Sequence, residues 1–111
     1  MKKMNPTRAI LTITGSDGTG GSGVQADIRF ISRLGGVAAS AITSITVQNT
    51  LGIQEFYDLP ASIVRQQVEA IINDLQPQVV KLGLLRRIDV VVAVAEVLSH
   101  YRPRHVIYAP V

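Results

Sequence analysis

Short apolar runs alternate along this chain with stretches whose apolar residues recur every three or four positions. "AILTIT" (9–14) is apolar and β-branched and stops at Gly15, which predicts a buried strand. "GVQADIRFISRLG" (23–35) sets Val24, Ile28, Ile31 and Leu34 at helical spacings, with Gly35 and Gly36 as a stop signal. "VAASAITSITVQN" (37–49) passes from small residues to Ile42, Ile45 and Val47 and predicts a second strand ending at Gln48 and Asn49. "LGIQEFYDLP" (51–60) reads as an excursion, a short strand or flap closed by Pro60. "ASIVRQQVEAIINDL" (61–75) is the clearest helix, with Val64, Val68, Ile71, Ile72 and Leu75 on one face. Pro77 ends it, and "VVKLG" (79–83) is a third strand. "IDVVVAVAEVLSHY" (88–101) carries Val91, Val94, Ala95 and Leu98 on a helical stripe. Its valines favour strand locally, but its length and the "RPR" turn behind it favour helix. "HVIYAPV" (105–111) is a fourth strand.

Strands alternating with helices of this length imply βαβ units, a parallel sheet and right-handed crossovers. Such a sheet puts its site beyond the carboxyl ends of its strands, here Gly15–Asp17, Thr46–Asn49, Gly83–Leu85 and Ala109–Val111. The 111 residues suit one small domain, and 47% hydrophobic content with only 5% aromatics suits strands buried on both faces. No apolar run approaches the roughly 18 residues of a membrane span, so no membrane partner is expected. "MKKMNPTRAILTIT" has the charges of a secretion signal, but threonine interrupts its apolar stretch and no small-residue cleavage site follows. Without cysteine there is no disulfide framework and no thiolate metal site, which is compatible with a cytoplasmic location. The net charge of +3 comes from scattered Lys and Arg with little aromatic interleaving, so nucleic-acid binding is not expected. The balance suits an anionic small ligand.

"GSDGTGGSGVQAD" (15–27) is the stretch richest in chemistry. Gly18, Gly20 and Gly23 match the G-x-G-x-x-G dinucleotide fingerprint between a strand and a helix. That motif also requires an acid about twenty residues on, and residues 28–54 hold no Asp or Glu. The phosphate-binding P-loop fails too, because no Lys-Ser or Lys-Thr follows the glycines. A turn that only needs positive φ remains open. So does a ligand loop, since Asp27 falls about one turn into the helix and the glycines clear side chains from the backbone. Gln48 is the other informative residue. A primary amide at a strand end pairs with a ring nitrogen beside an exocyclic amine, or it caps nearby backbone.

"LTITGSDGTGGSGVQADIRFISRLGG", "AITSITVQNTLGIQ", "VVKLGLL" and the final "APV" together resemble the first half of hydroxymethylpyrimidine/phosphomethylpyrimidine kinase. This is the thiamine-biosynthetic branch of the ribokinase-like superfamily, and "GSD…GGSGVQAD" and "QNTLG" are the most specific marks. The resemblance runs in order over residues 9–111 and makes residues 1–111 a substrate-binding N-terminal half. It implies a doubly wound parallel α/β sheet, incomplete at about four strands and three helices, with a small flap at 51–60. It also implies ATP- and Mg2+-dependent phosphorylation of 4-amino-5-hydroxymethyl-2-methylpyrimidine and then of its phosphate. By this resemblance Gly15, Asp27, Thr46, Gln48, Leu84 and Val111 line the pyrimidine pocket, with Gln48 on the aminopyrimidine edge. Lys81, in "K-x-G", lies near phosphate, or is a solvated strand-end lysine.

Four positions depart from the family pattern. Gly18–Thr19 replaces Pro-Ser, Leu84 replaces Met, and Ala109 replaces the Asp near phosphates and metal. The family's second half carries the anion hole, the catalytic Asp and most of the nucleotide site. No catalytic residue is therefore assigned here. A non-catalytic pyrimidine-binding or regulatory module, and a truncated or split kinase, remain alternatives. A final strand without cover predicts association with a second copy, as a homo-oligomer, or with the missing C-terminal half.

Overall fold

The computed structural model describes residues 8–109. In chain order the elements are β1 (Ala9–Ser16), α1 (Gly23–Arg33), β2 (Val37–Asn49), β3 (Gly52–Asp58), α2 (Ala61–Leu75), β4 (Val79–Leu82), α3 (Ile88–Tyr101) and β5 (His105–Tyr108). They form one sheet in the order β3-β2-β1-β4-β5. β2, β1, β4 and β5 run parallel, with Thr12 level with both Ser40 and Lys81. The excursion after residue 51 is a fifth strand, β3, paired antiparallel with β2. The sheet is thus mixed where the sequence implied parallel strands alone. A turn at residues 50–51 folds the chain back as a hairpin, which only an antiparallel pair permits.

Alternation along β1 separates two faces. Leu11 and Ile13, fully buried, join Ala39, Ala41 and Val80 under α2 and α3 in the main core. Thr12 and Thr14 turn to the opposite face, where Thr12 meets α1 through Asp27. α2 contributes Val64, Val68 and Ile72 to the core, with Ile71 and Leu75 packed at its margin, as the sequence pattern predicts. α3 does not follow its predicted stripe: Val90, Ala93, Val94 and Val97 are buried, while Val91 and Ala95 are exposed. Its first turns are apolar on nearly every side, so period alone does not choose a face, and the position of α2 decides. α1 buries Val24 and Ile31 but leaves Leu34 73% exposed and Ile28 on the surface, because it covers β1 and β2 only.

β2 is bulged: Thr14 pairs with Ile42, but Ser16 pairs with Ile45. On its other edge Ile42 lies before the stretch of β2 that pairs with β3, which begins at Ser44 and Asp58, so no strand partner faces it there. Gln67 of α2 fills that place, accepting from Ile42 N at 2.9 Å and donating to Ile42 O at 2.8 Å. α2 and α3 end on Gln76 and Arg102, both in the left-handed region at φ 48° and 55°, each returning its N–H to the carbonyl four residues back. Tyr101 Oη donates to Pro77 O at 2.7 Å, tying the end of α3 to the turn before β4, and its burial raises the phenol's pKa.

Candidate functional site

β1 connects onward to β2 on one side, while β4 lies on its other side, so the carboxyl end of β1 is where the strand order reverses. Ligands of open α/β sheets bind at such a point. Two glycines let backbone close in there. A Cβ on Gly23, at φ 65°, would stand 2.5 Å from Gly15 O, and one on Gly15 would stand 2.7 Å from Ser44 Oγ. Gly83 closes the end of β4, since a Cβ there would stand 2.1 Å from Thr14 Oγ1, and its N–H donates to Ile13 O at 2.9 Å.

The loop between β1 and α1 is organised by Asp17. Its carboxylate accepts from Thr19 N (2.9 Å), Thr19 Oγ1, Ser22 N and Ser22 Oγ (2.8 Å each). Hydrogen bonds from the Ser22 and Thr19 hydroxyls, more than any charge, lower its pKa to about 2. Gln25 completes the loop by accepting from Asp17 N at 2.7 Å and donating to Ser16 Oγ at 2.7 Å. Two of the loop's N–H groups are therefore spent on an internal anion. This is a fixed turn with a negative centre and not a phosphate cradle, which agrees with the failure of the dinucleotide and P-loop patterns.

The sequence-predicted residues fall into two groups. Thr46 Oγ1 donates to Ser16 O at 2.5 Å, so Thr46 and Gly15 belong to one end of the β1–β2 pair. Gln48 follows two residues on, hence on the same face of β2, half-buried and level with Ile53 of β3. Leu84, half exposed, follows Gly83 on the other side of β1. These four residues occupy the rim. Asp27 and Lys81 meet elsewhere: the Asp27 carboxylate accepts from Lys81 Nζ and Thr12 Oγ1, both at 2.5 Å. Thr12 lies three residues before Gly15, roughly 10 Å down the strand. Asp27 and Lys81 border a groove of about 870 Å³ on the α1 face; Gly15, Thr46, Gln48 and Leu84 do not line it. Val111 lies outside the described residues.

Arg86, just beyond Leu84, links this rim to the hairpin. Its Nε donates to Asp58 Oδ1 at 2.8 Å, and its guanidinium lies 3.7 Å from the centroid of the Phe56 ring. Sequence reasoning missed Asp17, Gln25, Gln67 and Arg86. Only Asp17 had a local signal, because an Asp two residues before Thr is an Asx-turn pattern. Among the described residues no three acidic or imidazole groups converge on a metal-sized site, and Ala109, directly after β5, carries only a methyl group. No helix among the described residues is long and apolar enough to cross a membrane.

A sheet reversing at β1, with a glycine-rich turn leading into α1 and a hairpin flap beside the rim, defines the ribokinase-like fold of small-molecule kinases. Solved pyridoxal kinase from Staphylococcus aureus, in complex with pyridoxal, superposes on 95% of this chain and 40% of its own, with a TM-score of 0.84 at 25% identity. Phosphomethylpyrimidine kinase from Clostridium difficile 630 superposes on 93% of this chain and 48% of its own, with a TM-score of 0.90 at 39% identity. Hydroxymethylpyrimidine/phosphomethylpyrimidine kinase of Bacillus subtilis is 44% identical over 101 residues, which is 91% of this chain and 37% of that protein. The profile of the phosphomethylpyrimidine kinase family matches residues 17–111, and the chain belongs to that family. It spans less than half the length of these relatives.

Proposed function

We propose that the chain supplies the pyrimidine-binding part of a hydroxymethylpyrimidine/phosphomethylpyrimidine kinase. The whole enzyme phosphorylates 4-amino-5-hydroxymethyl-2-methylpyrimidine and then its phosphate, using ATP and Mg2+. The observation that carries this reading is the ordered match to the phosphomethylpyrimidine kinase family, at a TM-score of 0.90, of a chain that contains the rim at the end of β1. Gly15, Thr46, Gln48 and Leu84 face the acceptor, joined by Val111. Gln48 supports the role because its primary amide, half-buried at the end of β2, offers a donor beside an acceptor to an aminopyrimidine edge. Asp27 and Lys81 act from below, as a paired charge that fixes α1 against β4. The lack of cysteine supports a cytoplasmic setting.

In this reading the 111-residue chain binds the acceptor, while the anion hole and catalytic Asp that stabilise and start phosphoryl transfer belong to the family's second half. Calorimetric titration with 4-amino-5-hydroxymethyl-2-methylpyrimidine tests the reading. Binding that weakens tenfold or more in Gln48→Ala, with folding unchanged, supports it. An absence of binding by the folded wild-type chain removes it. Ala109, where the family has Asp, favours a second reading as a non-catalytic pyrimidine sensor. Joining the chain to the remainder of a relative and assaying with ATP and Mg2+ separates the two.

A further inference from the structure

Beyond Ser16, which pairs with Ile45, β1 gives β2 no further partner. Thr46–Asn49 and their partners in β3, Gly52–Phe56, therefore project from the sheet as a two-stranded ribbon, and the extensive contacts of β3 are with β2 alone. Such a ribbon is marginal in water unless a third strand or a helix supports it. Yet this one carries Gln48. Directly paired residues share a face, so Ser44 lies with Asp58 and Thr46 with Phe56, and Gln48 follows two residues after Thr46. Thr46 and Gln48 are half-buried on this face, whereas Ile45, Val47 and Tyr57 on the other are 47%, 47% and 65% exposed.

Arg86 grips that face from across the rim. Its Nε donates to Asp58 Oδ1 at 2.8 Å and its guanidinium lies 3.7 Å from the Phe56 centroid, so one side chain engages two alternate residues of β3. The ion pair is partly withdrawn from water, with side-chain exposures of 33% and 23%, which makes it stronger than a fully solvated one. Arg86 itself stands on fixed backbone. Before it, Gly83 N–H donates to Ile13 O at 2.9 Å; after it, Asp89 Oδ1 accepts from Val90 N at the start of α3. The neighbouring Arg87 is taken by Asp89. Resting on the pyrimidine reading above, we propose that Arg86 is a positioning residue: it fixes the ribbon so that the Gln48 amide stands at the rim before the acceptor arrives. It acts through Phe56 and Asp58. A loose ribbon would have to be ordered by the ligand, and that ordering would be subtracted from the binding free energy.

Two readouts on the 111-residue chain test this: amide hydrogen exchange along β2 and β3, and calorimetric titration with 4-amino-5-hydroxymethyl-2-methylpyrimidine. In Arg86→Ala the ribbon amides should exchange roughly fivefold faster or more, while those of α2 keep their wild-type rates. Pyrimidine affinity should fall roughly three- to tenfold. Arg86→Asp should be worse than Arg86→Ala, since it sets a like charge against Asp58. Combining Arg86→Asp with Asp58→Arg should recover most of the lost protection and affinity, a rescue to which bulk packing alone would not respond. Arg65→Ala, which breaks an ion pair between α2 and α3, should leave both readouts unchanged. Ribbon exchange indifferent to Arg86→Ala, acceleration that spreads equally to α2, or a double variant no better than Arg86→Asp overturns the inference. The two readings fail separately. A wild-type chain that binds no pyrimidine, with ribbon exchange still governed by Arg86, keeps the restraint and removes the functional assignment. Pyrimidine binding untouched by Arg86→Ala keeps the assignment and removes the positioning role.

Discussion

Replacing Gln67 with Ala takes both hydrogen-bond partners from the backbone of Ile42, at the bulge that carries β2 past the end of β1. The two bonds, 2.9 and 2.8 Å, satisfy a donor and an acceptor that the sheet ladder leaves free. Each unsatisfied backbone group costs about 1–2 kcal/mol when partly shielded, so the loss should be about 2–4 kcal/mol. With a urea m-value of about 1–3 kcal/mol/M for a small domain, the midpoint should fall by about 0.7–4 M. Gln67→Glu sharpens the test. It keeps the acceptor for Ile42 N but sets a carboxylate oxygen against Ile42 O. That repulsion raises the folded-state pKa above the ordinary value of about 4.3. Stability relative to wild type is then best below about pH 4.3, where the protonated acid donates to Ile42 O. It is lost as pH rises through the folded value. Urea unfolding followed by circular dichroism at pH 4 and pH 7 reads both effects. A Gln67→Ala loss under 0.5 kcal/mol, or a Gln67→Glu deficit independent of pH, refutes the idea that this amide satisfies the open edge of β2 at Ile42.

Three further outcomes follow from the same geometry. The depressed pKa of Asp17, about 2, makes its contribution to stability full above its ordinary value of 3.8 and lost as pH falls towards 2. Acid titration of Asp17→Asn should show a flatter stability profile over that window. Gly83→Ala drives a Cβ to within 2.6 Å of Thr14 Cβ, which rotation of the hydroxyl cannot relieve; urea denaturation should report a loss of about 2–3 kcal/mol. Gln76→Gly removes the left-handed strain that ends α2 and should raise stability by about 0.5–1 kcal/mol, seen as a higher melting temperature.

The order of strands and helices was legible because each element keeps its own period and most end at Gly or Pro. α2 reads cleanly, since Val64, Val68 and Ile72 stand apart from polar neighbours. α3 does not, because Val90 to Val92 are equally apolar and only packing against α2 picks Val90. β3 is exposed along nearly its whole length, so no buried face left a pattern to read. At the site, Gly15, Thr46 and Leu84 fall on the predicted rim because strand ends are visible in the sequence. The ion pair of Asp27 and Lys81 was not legible. It joins residues 54 apart through the register that sets Thr12 beside Lys81, and register is a property of the folded sheet. Gln67 was invisible for a related reason: its partner, Ile42, is left open only because the β2–β3 pairing begins at Ser44.

Arg86 makes the two walls beside Leu84 mechanically dependent. The hairpin cannot swing outward on its own without parting a guanidinium from Asp58 and sliding it off Phe56 in the same stroke. Displacement of the hairpin therefore breaks an ion pair and a cation–π contact together, and the ionic share of that cost falls as salt rises.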